Sequence, residues 1–191
     1  MLCQKFTLPI LTLLLFLLAA CDQRAKVGKT TEVTYIIEEQ EPGPLFWDYA
    51  ASTNMLQAEL SQLAKARSAS AEVQAVADST LALHTEALRR LRSIAQRYKH
   101  VQLPDSLTGA DRTLVEDFKA LEGDTFDTRY LEYLRLTHKT QLNRYQETLS
   151  ETEDPALRRW LLTMRTQLQN RLQYYEVADS VLKKGGTTAR Y

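Results

Sequence analysis

The chain has 191 residues, 44% hydrophobic and 25% charged, which is the size of one ordinary domain with some additional segments. Six glycines and five prolines are too few for a sandwich of short strands joined by tight turns, and the composition is not of low complexity, so helix is the expected state. The 24 basic and 24 acidic residues balance, so no overall field recommends nucleic acid as a partner.

Residues 1–20 read as a secretory signal, with Lys5 in a short basic region, an apolar run from Phe6 to Leu18, and the small residues Ala19 and Ala20. The run is too short and too sharply ended for a comfortable membrane span. Leu18-Ala19-Ala20-Cys21 resembles the bacterial lipobox, in which the cysteine thiol receives a diacylglyceryl group and the signal is cut just before it. Cys21 is therefore expected to be the lipidated first residue of a membrane-anchored lipoprotein. Its expected place is the cell envelope of a Gram-negative bacterium, at the outer membrane and facing the periplasm. With Cys3 removed and Cys21 acylated, no thiol remains for a disulfide, a zinc site or nucleophilic catalysis.

Residues 21–44 have no helical period and end in Pro42-Gly43-Pro44, which breaks regular structure, so they read as a flexible tether. The stretch TEVTYIIE within it is β-prone, but a lone strand has no sheet to join.

From Leu45 to Lys183 the apolar residues recur at alternating spacings of four and three, the pattern of bundle helices. A first helix is predicted over 45–68, with Phe46, Ala50, Thr53, Gln57, Leu60, Ala64 and Arg67 along its seam. Ser70 caps a second, to about Tyr98, with seam positions that include Thr80, His84, Ala87 and Leu91. Pro104 and Gly109 interrupt a long connection that contains a short helix over 110–121. Asp124 and Asp127 resemble a capping box for a third long helix ending near Ser150, whose seam includes Asp127, Leu131, Leu134, His138, Gln141 and Tyr145. Asp154-Pro155 starts a fourth, with seam residues Leu157, Leu161, Met164, Leu168, Arg171 and Tyr175, ending near Leu182 before Gly185-Gly186. The expected fold is an all-α four-helix bundle with a long crossover between its second and third helices, followed by a disordered tail over 184–191.

Each seam carries one conspicuous polar residue near its midpoint: Gln57, His84, His138 and Arg171. Four midpoints fall in one cross-section, which is where bundles place metal or cofactor ligands. His84 and His138 are the candidate metal ligands. An amide is a poor ligand, however, and a guanidinium cannot coordinate and repels a cation. No Glu-x-x-His pair of the di-iron type occurs. Three readings stay open: a hydrogen-bonded polar layer that sets helix register, a small-ligand pocket with Arg171 receiving a carboxylate or phosphate, and a metal site. No Ser-His-Asp order, glycine-rich phosphate loop or zinc spacing is present, so no enzyme activity and no cofactor are expected.

The segments NMLQAELSQLAKARSASAEVQAVADSTLALHTEALRRLRSIAQ, LPDSL, FDTRYLEYLRLTHK and DPALRRWLLTMRTQLQNRL resemble, in this order, the domain of unknown function 4142 family of bacterial secreted and envelope proteins. The resemblance implies a ferritin-like helical bundle, here in a lipoprotein member. It implies a family pattern of glutamate, Asp-His, Phe-Asp, Asp-His and histidine at the positions of Gln57, Leu83-His84, Phe126-Asp127, Thr137-His138 and Arg171. This chain keeps His84, His138 and Phe126-Asp127-x-x-Tyr130 and departs at the other positions. The family's function is undefined. The expected role is a non-enzymatic binding or structural one, with metal or small-ligand binding at the His/Arg layer as the alternative and the protein or small-molecule partner unspecified.

Overall fold

The computed structural model describes residues 42–188, with side chains as far as residue 181. The signal segment, Cys21 and the stretch 21–41 of the expected tether lie outside the described residues. Five helices and no strand occur among them. We label these α1 (Pro44–Arg67), α2 (Ala71–Ala95), α3 (Gly109–Lys119), α4 (Gly123–Glu151) and α5 (Pro155–Thr188).

Local chemistry accounts for most boundaries. Pro44 opens α1, where its missing N–H is not needed. Ser70 Oγ accepts from the Val73 N–H at the start of α2. Asp154 Oδ1 accepts from the Ala156 and Leu157 N–H groups, both at 2.7 Å, and Pro155 follows it. Arg97 clamps the same carboxylate at 2.6 Å, tying the end of α2 to the start of α5. Burial pushes the Asp154 carboxyl up, but these bonds outweigh it and hold the group below its usual range.

Three boundaries differ from expectation, the first being the end of α2, which stops at Ala95 and passes into turns instead of reaching Tyr98. No capping box forms at α4: the residue before it is Glu122, without a side-chain cap, and the chain enters through Gly123 at φ +53°. Asp127 lies one turn inside and points inward, where its Oδ2 accepts from the Ser68 hydroxyl at 2.9 Å and so pins the α1–α2 turn to α4. At the other end, α5 does not stop near Leu182 but continues through Gly185-Gly186 to Thr188. Glycine costs a helix about 1 kcal/mol against alanine without forbidding it, and no proline follows to end the helix. Residues 184–188 of the expected disordered tail are therefore helical, while 189–191 lie outside the described residues.

Short turns make α1–α2 and α4–α5 antiparallel hairpins. α2 also packs against α5, and α1 against α4. Cross-helix pairs fix the directions. Trp160 meets Ala87 while Arg171 meets Ser79, and Asn54 meets Tyr145 while Ser61 meets Tyr130, so each of these pairs is antiparallel as well. α2 and α4 are consequently parallel across the diagonal. The connection over 96–122, with α3 packed on α1, supplies the one long crossover that ferritin-like bundles use. Arg67, at the end of the α1 seam, is exposed and donates to the Lys119 and Leu121 carbonyls, capping the end of α3.

The core is in two parts. One holds Trp47, Leu91, Tyr145, Leu157, Trp160 and Leu168; the other holds Leu60, Val76, Phe118, Phe126, Tyr130, Leu134 and Tyr175. On every long helix the two apolar groups flank the midpoint, and the polar layer lies between them. The described residues 42–188 lie in one compact unit with this core of its own, the condition for independent folding.

Candidate functional site

The structure brings Gln57, His84 and His138 together as residues with no solvent exposure, and Arg171 reaches them half-buried from α5. Their apolar flanks require every polar atom to find a partner, and most do so within the layer. His84 Nδ1 lies 2.8 Å from Asn54 Oδ1, and His84 Nε2 lies 3.1 Å from His138 Nε2. Gln57 Nε2 donates to Gln141 Oε1 at 2.8 Å, and Gln141 Nε2 donates to the Tyr145 hydroxyl at 3.0 Å. Asn54 closes the circuit, donating through Nδ2 to the Ala50 carbonyl and to the Tyr145 hydroxyl. Thr80 and Tyr175 share a hydroxyl pair at 3.0 Å beside it, and the Tyr175 ring packs on His138.

These contacts assign the tautomers. Asn54 Nδ2 is committed as a donor, so its Oδ1 is an acceptor and His84 Nδ1 must carry the proton. A neutral His84 then presents a bare Nε2, and His138 must donate to it from a protonated Nε2. Both imidazoles are neutral for a physical reason. Burial lowers the His84 pKa well below its ordinary value, and the neighbouring His138 and Arg171 lower it further. Burial and the Arg171 charge bring His138 down to about 3. Three buried atoms of the layer stay unpaired: His138 Nδ1 and Gln57 Oε1, both acceptors, and Arg171 Nε, a donor.

Three properties follow from this arrangement. His84 has both ring nitrogens engaged, so it has none free to act as a general base. Neither histidine has a spare N–H, so neither helps to hold an anion. A cation between the two Nε2 atoms would require His138 to move its proton to Nδ1, where no acceptor waits, and would sit beside the guanidinium of Arg171. Among the described residues no three His, Cys, Asp or Glu side chains converge as a metal-binding group.

Asn54 is the member the sequence reading passed over. It lies between the seam positions Thr53 and Gln57. Its signal was an asparagine, a poor helix former, in the middle of a long helix on the flank of an apolar face. Gln141, Tyr145, Thr80 and Tyr175 were seam residues whose polar atoms join the layer.

Arg89 and Arg90, on α2, fork onto Glu86 and bring its carboxyl down to about 2. No helix of the described residues is long and apolar enough to cross a membrane.

Fold and site together define the class: an all-α bundle with one long crossover, divided at mid-height by a buried, internally bonded polar layer. Residues 38–176 match the model of the family described as Domain of unknown function (DUF4142), and the chain belongs to that family. No curated protein matches the chain.

Proposed function

We propose that the protein is a lipid-anchored component of a Gram-negative cell envelope, held through Cys21, whose bundle is a non-catalytic binding or structural module. The anchor rests on Leu18-Ala19-Ala20-Cys21 after an apolar run. The absence of catalysis rests on one observation: His84, the central imidazole, spends Nδ1 on Asn54 and Nε2 on His138. On this reading the layer sets the register of four helices, because a slip of any helix separates buried polar partners and places them against leucine and phenylalanine.

The anchor is tested by replacing Cys21→Ala and following fatty-acid labelling and membrane fractionation. Loss of label and release of the protein from membranes are expected, and a labelled, membrane-bound variant would overturn the proposal.

One observation favours the alternative, a metal-binding layer: the two Nε2 atoms are 3.1 Å apart. The lack of a carboxylate and the nearby Arg171 charge weigh against it. Metal analysis of residues 38–191, wild type against His84→Ala/His138→Ala, separates the two. Equal, near-zero content supports the register role, and metal bound only by the wild type contradicts it.

A further inference from the structure

Between α2 and α5 lies a groove of about 580 Å³, within the range of small-molecule sites. Its floor is apolar, made by Leu83, Ala87, Ile94, Trp160 and Met164. It extends along α5 from Ala156 to Arg171, which at the helical rise is about 22 Å. The Trp160 indole N–H donates to the Ala87 carbonyl at 3.0 Å and closes the floor by joining the two helices. Apolar along its length, this floor offers burial to an extended alkyl chain.

The rim is cationic: Arg89, Arg90, Arg159 and Arg171 line the groove against one carboxylate, Glu86, which the first two already occupy. Arg159 and Arg171 have no carboxylate partner among the described residues. Arg171 is fixed through Nη1 to the neutral Ser79 hydroxyl at 2.8 Å, and its Nε is buried without an acceptor. An unneutralised guanidinium at one end of a long apolar floor is complementary to a carboxylate at one end of an alkyl chain. The layer beneath cannot take that carboxylate, since its histidines have no free N–H.

We propose that the α2/α5 groove binds one long-chain fatty acid, its carboxylate at Arg171 and its chain laid over Leu83, Met164, Ala87 and Trp160 toward Ile94. This site shares Arg171 with the polar layer but makes no use of the layer's histidines.

The test is titration calorimetry on residues 38–191 with hexadecanoate below its aggregation concentration. One molecule per chain is expected, with hexadecanol and acetate at least about tenfold weaker, because one lacks the charge and the other the chain. Arg171→Gln should weaken hexadecanoate by about tenfold or more. Thr163→Phe fills the groove from an exposed position and should abolish binding while leaving thermal unfolding unchanged. No binding, equal binding of acid and alcohol, or full binding by the Thr163→Phe variant each overturn the proposal. So does a protein that sediments as a dimer and becomes monomeric on Thr163→Phe, which would give the groove to a second copy.

Discussion

Lowering the pH from 7 to 5 perturbs the two layer histidines differently in the folded and unfolded chain. Unfolded, each imidazole titrates near its ordinary value of about 6.5 and is mostly protonated at pH 5. Folded, burial and the Arg171 charge keep His84 well below that value and His138 at about 3, so both stay neutral. The unfolded state thus binds more protons over this window, and stability falls as the pH falls. Because the folded His138 value lies well below 5, its contribution depends only on the unfolded one and is about 2 kcal/mol; His84, lowered in the same direction, adds to it. Other groups also contribute. Asp127, raised mainly by burial, acts in the opposite sense, and Glu86, lowered mainly by its bonds to Arg89 and Arg90, acts in the same sense. The assay is therefore a difference: urea unfolding of residues 38–191 across pH 5–7, wild type against His84→Gln/His138→Gln. The variant should be less stable at pH 7 but should lose most of the slope. Equal slopes would refute the claim that both imidazoles are buried and neutral. So would a wild-type stability flat across the window, a reading that stands even if the double variant fails to fold.

Three further outcomes follow from the same contacts. Asn54→Leu strands the His84 Nδ1–H in an apolar setting and should lower the unfolding free energy by about 2–3 kcal/mol, read from the urea midpoint. Asp154→Ala removes two capped N–H groups and the Arg97 clamp, and should cost about 1–2 kcal/mol, with faster amide exchange confined to the first turn of α5. Leu60→Ala opens a cavity in the half of the core next to α3 and should cost about 2–5 kcal/mol in thermal unfolding.

The spacing of apolar residues was enough to place all four long helices, because a bundle helix buries one stripe and the stripe is written in the period. Ser70 and Asp154-Pro155 marked their boundaries because a side-chain cap is local chemistry. The start of α4 was misread for the complementary reason. Asp127 has the right type and spacing for a cap, but the long-range Ser68 hydroxyl claims it, and a contact across 59 residues has no local signature. The end of α5 was misread because Gly185-Gly186 raises the cost of a helix without preventing one.

For the site, periodicity put Gln57, His84, His138 and Arg171 at one height, and the fold brings them there. It did not show how the bonds close. Asn54 orients His84 from a position between seam residues, and the resulting tautomers follow only from which atoms meet. The arginine-rimmed groove was equally illegible, since Arg89 and Arg90 come from one helix and Arg159 and Arg171 from another, and the crossover and all of α4 lie between α2 and α5 in the sequence.

The most direct test of a closed, neutral polar layer is a long-range ¹H–¹⁵N correlation spectrum of the histidine rings in residues 38–191 at neutral pH, with and without zinc. The account requires two neutral imidazoles, His84 protonated on Nδ1 and His138 on Nε2, with spectra unchanged by the metal. Charged rings, or both Nε2 atoms bare and shifted on adding zinc, would contradict it.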